Sequence, residues 1–133
     1  MNIKTKNLKQ IILINSTPKE VFDAFMDQKK HSKFTGTKAT IENKVGGKFS
    51  VWDDYATGET LELVPDKKIV QSWRASDWPE EYLSKIILEL SFSGKSTKLR
   101  FTHKGIPEES YSEIKQGWID YYWNPMKKML EGK

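Results

Sequence analysis

The sequence predicts an α+β domain in which a curved antiparallel sheet of about six or seven strands wraps around one long C-terminal helix. Two short helices are expected after the first strand. Between Glu108 and Leu130, apolar residues recur at the spacing of one helix face. From Thr35 onward they instead alternate with polar residues, as in half-buried strands. Tight turns at Val45-Gly46-Gly47 and Gly94-Lys95-Ser96 separate these strands, which favours antiparallel pairing.

Composition narrows the class of protein. A chain of 133 residues suits a single domain, 1–133, whose core is large enough to fold without disulfides or a structural metal. The absence of cysteine excludes disulfides, thiol catalysis and cysteine-bound zinc. It is compatible with a reducing cytoplasm, where we expect the protein. No apolar run approaches the ~20 residues of a membrane span, and we find no signal segment.

The net charge of +4 comes mainly from scattered lysines, since Arg74 and Arg100 are the two arginines. Nucleic-acid binders concentrate their charge on one face and favour arginine. We therefore expect a solvated lysine surface, with neither a nucleic acid nor a membrane as a partner.

The chain opens with a strand and two short helices. Residues 1–7 are polar and are expected to be frayed, whereas Leu8–Asn15 carries the β-branched run of a first strand. Residues Thr17–Glu20 predict a helix start, with a capping box and a proline at the first helical position. A second short helix is expected over about Gln28–Phe34.

Six further strands follow, each with a polarity period of two. Their expected ranges are Thr37–Asn43, Lys48–Trp52, Glu59–Val64, Ile69–Ala75, Leu83–Ser93 and Thr97–Lys104. One face of most of them is rich in lysine, which predicts a sheet with one face in water. The other face needs a cover, and the last helix is long and apolar enough to supply it.

The C-terminal helix carries an unusually aromatic stripe. At 100° per residue the stripe comprises Tyr111, Ile114, Trp118, Tyr121, Tyr122, Met126 and Met129. Pro125 should kink or fray the helix after Asn124, because its ring removes a hydrogen bond and clashes with the carbonyl four residues earlier. Trp123 falls roughly 140° from the centre of the stripe. We expect it to be exposed, or packed against the first helix or a loop, and with the loop residue Trp78 it is a candidate for partner contact.

Few residues suggest chemistry. His103 lies in phase with Leu99 and Phe101, so it should face inward as a hydrogen-bonded core histidine or as the polar anchor of a ligand. No nucleophile motif accompanies it, and two histidines without a cluster indicate no metal site. Large rings either pack the core or line a cavity in which their polar tips find partners. These rings are Trp52, Trp73, Phe101, Trp118 and Tyr122.

Short pieces spread over nearly the whole chain resemble one known family. They are Phe34-Thr35-Gly36-Thr37, Ala39-Thr40, Val45-Gly46-Gly47-Lys48-Phe49, Gly58-Glu59, Leu63-Val64-Pro65-Asp66-Lys67, Ile69-Val70, Trp73-Arg74, Trp78-Pro79-Glu80, Gly105-Ile106-Pro107, Gln116-Gly117-Trp118 and Tyr121-Tyr122. In this order they resemble the C-terminal domain of the activator of the heat-shock protein 90 ATPase, a branch of the START-like (SRPBCC) helix-grip superfamily. The resemblance implies a sheet that grips the C-terminal helix, with an apolar cleft between them.

The resemblance also implies a function. It implies contact with a heat-shock protein 90-type chaperone. The members that stimulate the chaperone ATPase have two domains, and we expect no room in this chain for their additional N-terminal domain. In other branches it implies small hydrophobic ligands. We therefore expect a non-enzymatic binding module without a cofactor. The residues expected to line its cleft are Trp52, Trp73, Leu88, Leu90, Phe101, His103, Trp118, Tyr121, Tyr122 and Met126.

The alternative is a cyclase- or hydrolase-like enzyme of the same fold. In that case His103 with Tyr121 or Tyr122 would be the acid–base pair, since the sequence offers no other.

Overall fold

A computed structural model describes residues 4–79 and 81–132 of the chain and has the expected α+β architecture. The strands are β1 (Thr5–Ile14), β2 (Thr40–Ile41), β3 (Lys48–Val51), β4 (Ala56–Val64), β5 (Lys68–Ala75), β6 (Ser84–Ser93) and β7 (Ser96–Pro107). Two short helices, α1 (Pro18–Met26) and α2 (Gln28–Thr35), follow β1. The C-terminal helix consists of a 3₁₀ turn (Glu108–Ser110), α3 (Tyr111–Trp118), a π turn (Ile119–Trp123) and α4 (Asn124–Glu131).

The seven strands form one antiparallel sheet in the order β1-β7-β6-β5-β4-β3-β2. From β2 to β7 each strand lies beside the next one in the chain, because short turns join antiparallel neighbours. The first strand instead pairs with the last, with Leu8 opposite His103. The start of the chain therefore occupies the edge that the meander leaves open.

Alternating burial separates the two faces of the sheet. The inward residues of two long central strands are Ser84, Ile86, Leu88 and Leu90 on β6 and Thr97, Leu99, Phe101 and His103 on β7. On the outer face Lys85 lies opposite Lys104 and Glu89 opposite Arg100, and all four are exposed. This confirms the prediction that one face of the sheet meets water.

The start of α1 also matches its prediction. The hydroxyl of Thr17 accepts from the N–H of Glu20 at 3.2 Å, and the carboxylate of Glu20 accepts from the N–H of Thr17 at 3.4 Å. This is a complete capping box, with Pro18 in the first turn. The apolar side of α1, which includes Phe22 and Phe25, is buried.

The expectation of a frayed N-terminus is wrong where the structure describes it. Residues 1–3 lie outside the described part, but Thr5–Asn7 belong to β1, with Thr5 opposite Pro107. The cause is the length of β7, which runs three residues past the expected end at Lys104 and so provides a pairing partner.

The strand expected over Thr37–Asn43 is reduced to two residues, Thr40 and Ile41. Side chains of α2 satisfy the neighbouring backbone instead. The N–H of Ala39 donates to the hydroxyl of Ser32 at 3.0 Å, and that of Ile41 donates to the side-chain carbonyl of Gln28 at 2.9 Å. A segment whose N–H groups are already paired gains little from a longer ladder.

The C-terminal helix lies on the inner face of the sheet, as predicted. Its buried residues are Ile114, Trp118, Tyr122, Trp123, Met126 and Leu130. The rings of Trp118 and Trp123 contact Phe101 of β7, with centroids 4.5 and 5.0 Å away. Among the described residues, the helices are all too short or too polar to cross a bilayer.

Candidate functional site

An open cleft of ≈ 530 Å³ lies between the C-terminal helix and the part of the sheet formed by β5 and the β3–β4 turn. It is lined by Trp52, Tyr55, Trp73, Glu113, Ile114, Gln116, Gly117, Trp118, Asp120, Tyr121 and Tyr122. Its volume falls within the roughly 300–1,000 Å³ of small-molecule pockets. Most of its wall is aromatic, so an apolar or flat guest would find broad contact there.

The β3–β4 turn positions one wall of the cleft. Three successive non-glycine residues adopt the left-handed conformation: φ is 54° at Trp52, 57° at Asp53 and 68° at Asp54. This conformation costs roughly 1–2 kcal/mol per residue. The hydroxyl of Ser50 donates to the carboxylate of Asp54 and helps to hold the turn. As a result the ring of Trp52 reaches the helix and packs edge-on against Tyr121, with centroids 5.3 Å apart.

A π turn shapes the opposite wall. The N–H of Asn124 donates to the carbonyl of Ile119, five residues earlier, and Pro125 follows directly. Proline has no N–H to donate and its ring clashes with the carbonyl four residues before it in an α-helix, so a wider turn suits it. The expected fraying after Asn124 is wrong, because α4 continues to Glu131.

The extra residue of the π turn changes which rings face inward. Tyr122 and Trp123 are adjacent, yet both are buried, with 5% and 2% of their surface exposed. Tyr121 is 57% exposed and stands at the edge of the cleft. Of the two expectations for Trp123, exposure is wrong, and the ring is packed instead, against Phe101 of β7. The inward position expected for Tyr121 is wrong as well. The indole N–H of Trp123 donates to the side chain of Gln10 on β1 at 2.8 Å.

His103 lies beneath the cleft and is part of a buried chain of hydrogen bonds. The indole N–H of Trp118 donates to Nδ1 of His103 at 3.1 Å. An indole can only donate, so the proton of His103 is on Nε2, which donates to Ser84 Oγ at 2.8 Å. Ser84 in turn donates to the carbonyl of Trp73 at 2.7 Å. Burial lowers the pKa of His103 to about 3, so the ring is neutral.

The second histidine forms a similar link. Nδ1 of His31 donates to the carbonyl of Phe25 at 2.9 Å, and the hydroxyl of Tyr122 donates to Nε2 at 3.2 Å. Burial lowers the pKa of His31 to about 4. Burial also raises the pKa of Tyr122, and the neighbouring Trp52 partly opposes this rise. The pair ties α2 to the π turn, a contact that the sequence did not predict.

The charges at the mouth of the cleft are negative. Glu113 and Asp120 line it, and Asp120 accepts from the side-chain amide of Gln116 at 3.0 Å. Burial raises the pKa of the Tyr55 hydroxyl, and the carboxylates of Asp77 and Glu113 add to this effect. Two carboxylates, those of Glu113 and Asp120, therefore line the aromatic opening.

The residues predicted to line the cleft divide into two groups of five. Trp52, Trp73, Trp118, Tyr121 and Tyr122 do line it. Leu88, Leu90, Phe101, His103 and Met126 lie in the closed core, at 8% exposure or less, and are not part of its wall. His103 was expected to be either a hydrogen-bonded core residue or the polar anchor of a ligand, and its position in the structure is that of a hydrogen-bonded core residue. That the lining residues hold a ligand stays a prediction.

Trp78, the loop residue proposed from the sequence for partner contact, is buried as well, at 6% exposure. Its ring packs edge-on against Trp73, with centroids 5.4 Å apart. The guanidinium of Arg74 donates to the carbonyls of Trp78 and Pro79 and folds the loop back onto the sheet. The rings of Trp78 and Trp123 are thus both buried, and their contact with a partner stays a prediction.

Sequence reasoning missed the polar part of the lining. Tyr55, Glu113, Gln116, Gly117 and Asp120 were not expected there. A helical wheel places most of them away from the apolar stripe, because a wheel shows what lies beneath a helix and not what lies beside it. The cleft opens at the flank of the helix, where polar side chains also reach.

Comparison with known proteins matches the chain to one protein family over most of its length. Residues 15–131 match the family model "Activator of Hsp90 ATPase homolog 1-like protein". The human "Activator of 90 kDa heat shock protein ATPase homolog 1" is 36% identical over 121 residues, which cover 91% of this chain and 35% of that protein. A relative from Dictyostelium discoideum, "Activator of 90 kDa heat shock protein ATPase homolog", is 33% identical over 86% of this chain and 30% of its own length.

A solved structure agrees with these matches. The crystal structure of an HSP90 activator from Plasmodium falciparum superposes with a TM-score of 0.88 at 28% identity. The superposition covers 95% of this chain and 96% of that chain. The chain spans about a third of the length of the curated relatives above.

Proposed function

The chain belongs to the activator of Hsp90 ATPase homolog 1-like family, and from this premise we propose that it is a non-enzymatic binding module. It contacts a chaperone of the heat-shock protein 90 type and holds a small hydrophobic ligand in the cleft. The observation that supports the ligand most directly is the ≈ 530 Å³ cleft with its aromatic wall. The chaperone contact is supported by the relatives, which are activators of the heat-shock protein 90 ATPase.

A binding assay tests the chaperone part. Purified heat-shock protein 90 is titrated with the intact chain by calorimetry, and its ATPase rate is followed with and without the chain. An ATP-competitive inhibitor of the chaperone corrects for contaminating activity. We expect saturable binding, with or without a rise in the ATPase rate. The proposal fails if the folded chain neither binds the chaperone nor changes its rate.

Dye displacement tests the ligand part. A neutral hydrophobic dye such as Nile red is added to the protein and then competed with fatty acids, sterols and aromatic polyketides. Tyr121→Ala removes an exposed ring of the cleft wall and should weaken dye binding severalfold. The matched control is Tyr111→Ala, on the same helix but outside the lining. Equal affinity in both variants would place the dye elsewhere.

The geometry speaks against the enzyme alternative. Within the described part of the chain, His103 bonds Ser84 and Trp118 and has no hydrogen bond to a carboxylate or a tyrosine. The hydroxyl of Tyr122 bonds His31, and Tyr121 lies at the cleft edge. Neither tyrosine therefore pairs with His103 for proton transfer. The described residues also contain no cluster of side chains suited to hold a metal ion.

A further inference from the structure

We infer that the ligand of the cleft is a small organic cation with a broad apolar body. This inference rests on the proposed function, because it concerns the same cleft. It goes further by assigning the sign of the ligand's charge.

The first argument is the aromatic wall. Six of the lining side chains are rings, namely Trp52, Tyr55, Trp73, Trp118, Tyr121 and Tyr122. Trp73, Trp118 and Tyr122 are buried at the floor, whereas Tyr55 and Tyr121 are 41% and 57% exposed at the walls. Aromatic faces carry a negative quadrupole, so a cation that lies over a ring face is attracted to it.

The second argument is the charge of the opening. Glu113 and Asp120 are part of the lining, and among the described residues no lysine, arginine or histidine lines it. In the described part of the chain neither carboxylate forms an ion pair. This contrasts with the protein as a whole, which carries a net charge of +4. An anionic guest such as a fatty acid would meet these carboxylates at short range, and a cationic guest would compensate them.

The two arguments are independent and select the same ligand class. An apolar cleft alone would accept neutral, anionic and cationic guests of suitable size. The carboxylates at the mouth disfavour the anion, and the rings favour a cation whose charge is spread over a large apolar body. A small, strongly hydrated cation would leave most of the ≈ 530 Å³ unfilled.

The test compares two probes of nearly equal shape and opposite charge, tetraphenylphosphonium and tetraphenylborate. Binding is followed by NMR through the five tryptophan indole N–H signals. Trp52, Trp73 and Trp118 line the cleft, whereas Trp78 and Trp123 do not and serve as internal controls. We expect the phosphonium to shift the first three signals and to bind at least tenfold more tightly there than the borate. Equal or tighter binding of the borate in the cleft overturns the inference.

A charge-removing variant isolates the carboxylates. Glu113→Gln with Asp120→Asn keeps the shape of the mouth and should weaken phosphonium binding about tenfold. The matched control is Glu59→Gln with Glu89→Gln, which makes the same charge change at exposed strand residues outside the cleft lining. Unchanged affinity in the first variant, or an equal loss in both, contradicts the inference.

A neutral probe separates this inference from the proposed function. If Nile red shifts the cleft indoles and the phosphonium does not, the cleft binds ligands but the assigned charge is wrong. If neither probe shifts them, the ligand part of the proposed function fails together with the inference.

Discussion

The indole N–H of Trp118 donates to Nδ1 of His103 across 3.1 Å, and both side chains are buried. This bond joins the middle of the C-terminal helix to β7 and fixes the tautomer of the histidine. The chain of hydrogen bonds then passes through Ser84 and ends at the carbonyl of Trp73. One polar network therefore sets the position of two rings that line the cleft.

Trp118→Phe should destabilise the protein beyond the loss of ring volume. The substitution leaves Nδ1 of His103 buried without a donor, which costs about 1–3 kcal/mol. Urea unfolding measures the change. Trp123→Phe is the matched control, because its partner Gln10 is half-buried and can exchange the lost bond for one to water. Equal losses in the two variants would show that the bond to His103 carries no special weight.

Stability should fall as the pH falls from about 6.5. An unfolded histidine has a pKa near 6.5, whereas folding lowers the pKa of His103 to about 3 and that of His31 to about 4. Below pH 6.5 the unfolded chain therefore binds protons that the folded chain does not, and the free energy of unfolding decreases. Each histidine should contribute about 1–1.5 kcal/mol of loss between pH 7.5 and 5.5.

Urea unfolding at these two pH values measures the effect. His31→Gln and His103→Gln each remove one titrating group and should each reduce the pH-dependent loss by about half. If both variants lose as much stability as the parent chain on acidification, groups other than the two histidines cause the dependence.

The β3–β4 turn should be strained in a way that glycine relieves. Asp53 has a φ of 57°, and a left-handed residue with a side chain costs roughly 1–2 kcal/mol. Asp53→Gly should therefore be more stable than Asp53→Ala by about 1 kcal/mol. Asp53 is chosen because Asp54 accepts a hydrogen bond from Ser50 that a substitution would break. Equal thermal midpoints for the two variants would contradict the strain.

Gly58→Ala should disrupt the sheet beside the cleft. An added Cβ would lie 1.9 Å from the carbonyl oxygen of Ser72 and 2.7 Å from the ring of Phe49, so a strand must shift. We expect a loss of about 3 kcal/mol, since overpacking of a close contact is costly. Gly94→Ala is the control: no atom lies within 4 Å of its added Cβ, and only its φ of 64° opposes the substitution. A smaller loss for Gly58→Ala than for Gly94→Ala would be unexpected.

The features of the fold that the sequence predicted depend on local patterns. Alternation identified β6 and β7, and the capping residues of α1 identified its start to the residue. The order of the elements then favoured one antiparallel sheet with the last helix as its cover. The limits of β2 were missed because distant side chains of α2 pair its backbone, and no local pattern reports that.

The candidate site was predicted less completely, for a geometric reason. A helical wheel assumes 3.6 residues per turn, so it could not anticipate that Tyr122 and Trp123 both turn inward across a π turn. Burial alternation placed Leu88 and Phe101 correctly inside but could not distinguish a packed interior from the wall of a cleft. From the sequence alone, the carboxylates Glu113 and Asp120 could not be distinguished from ordinary solvent-facing residues.

The π turn has a consequence for the comparison of relatives. Its hydrogen bond encloses one more residue than an α-helical turn, and α3 and α4 on either side of it both contact β1. A homologue that lacks this residue can close the turn into regular α-helix, so a single-residue gap in an alignment belongs within Ile119–Trp123. An alignment without this gap, drawn on one regular helical wheel, would pair Tyr121 with a buried residue of such a homologue. A residue at the mouth of the cleft would then be mistaken for a core residue.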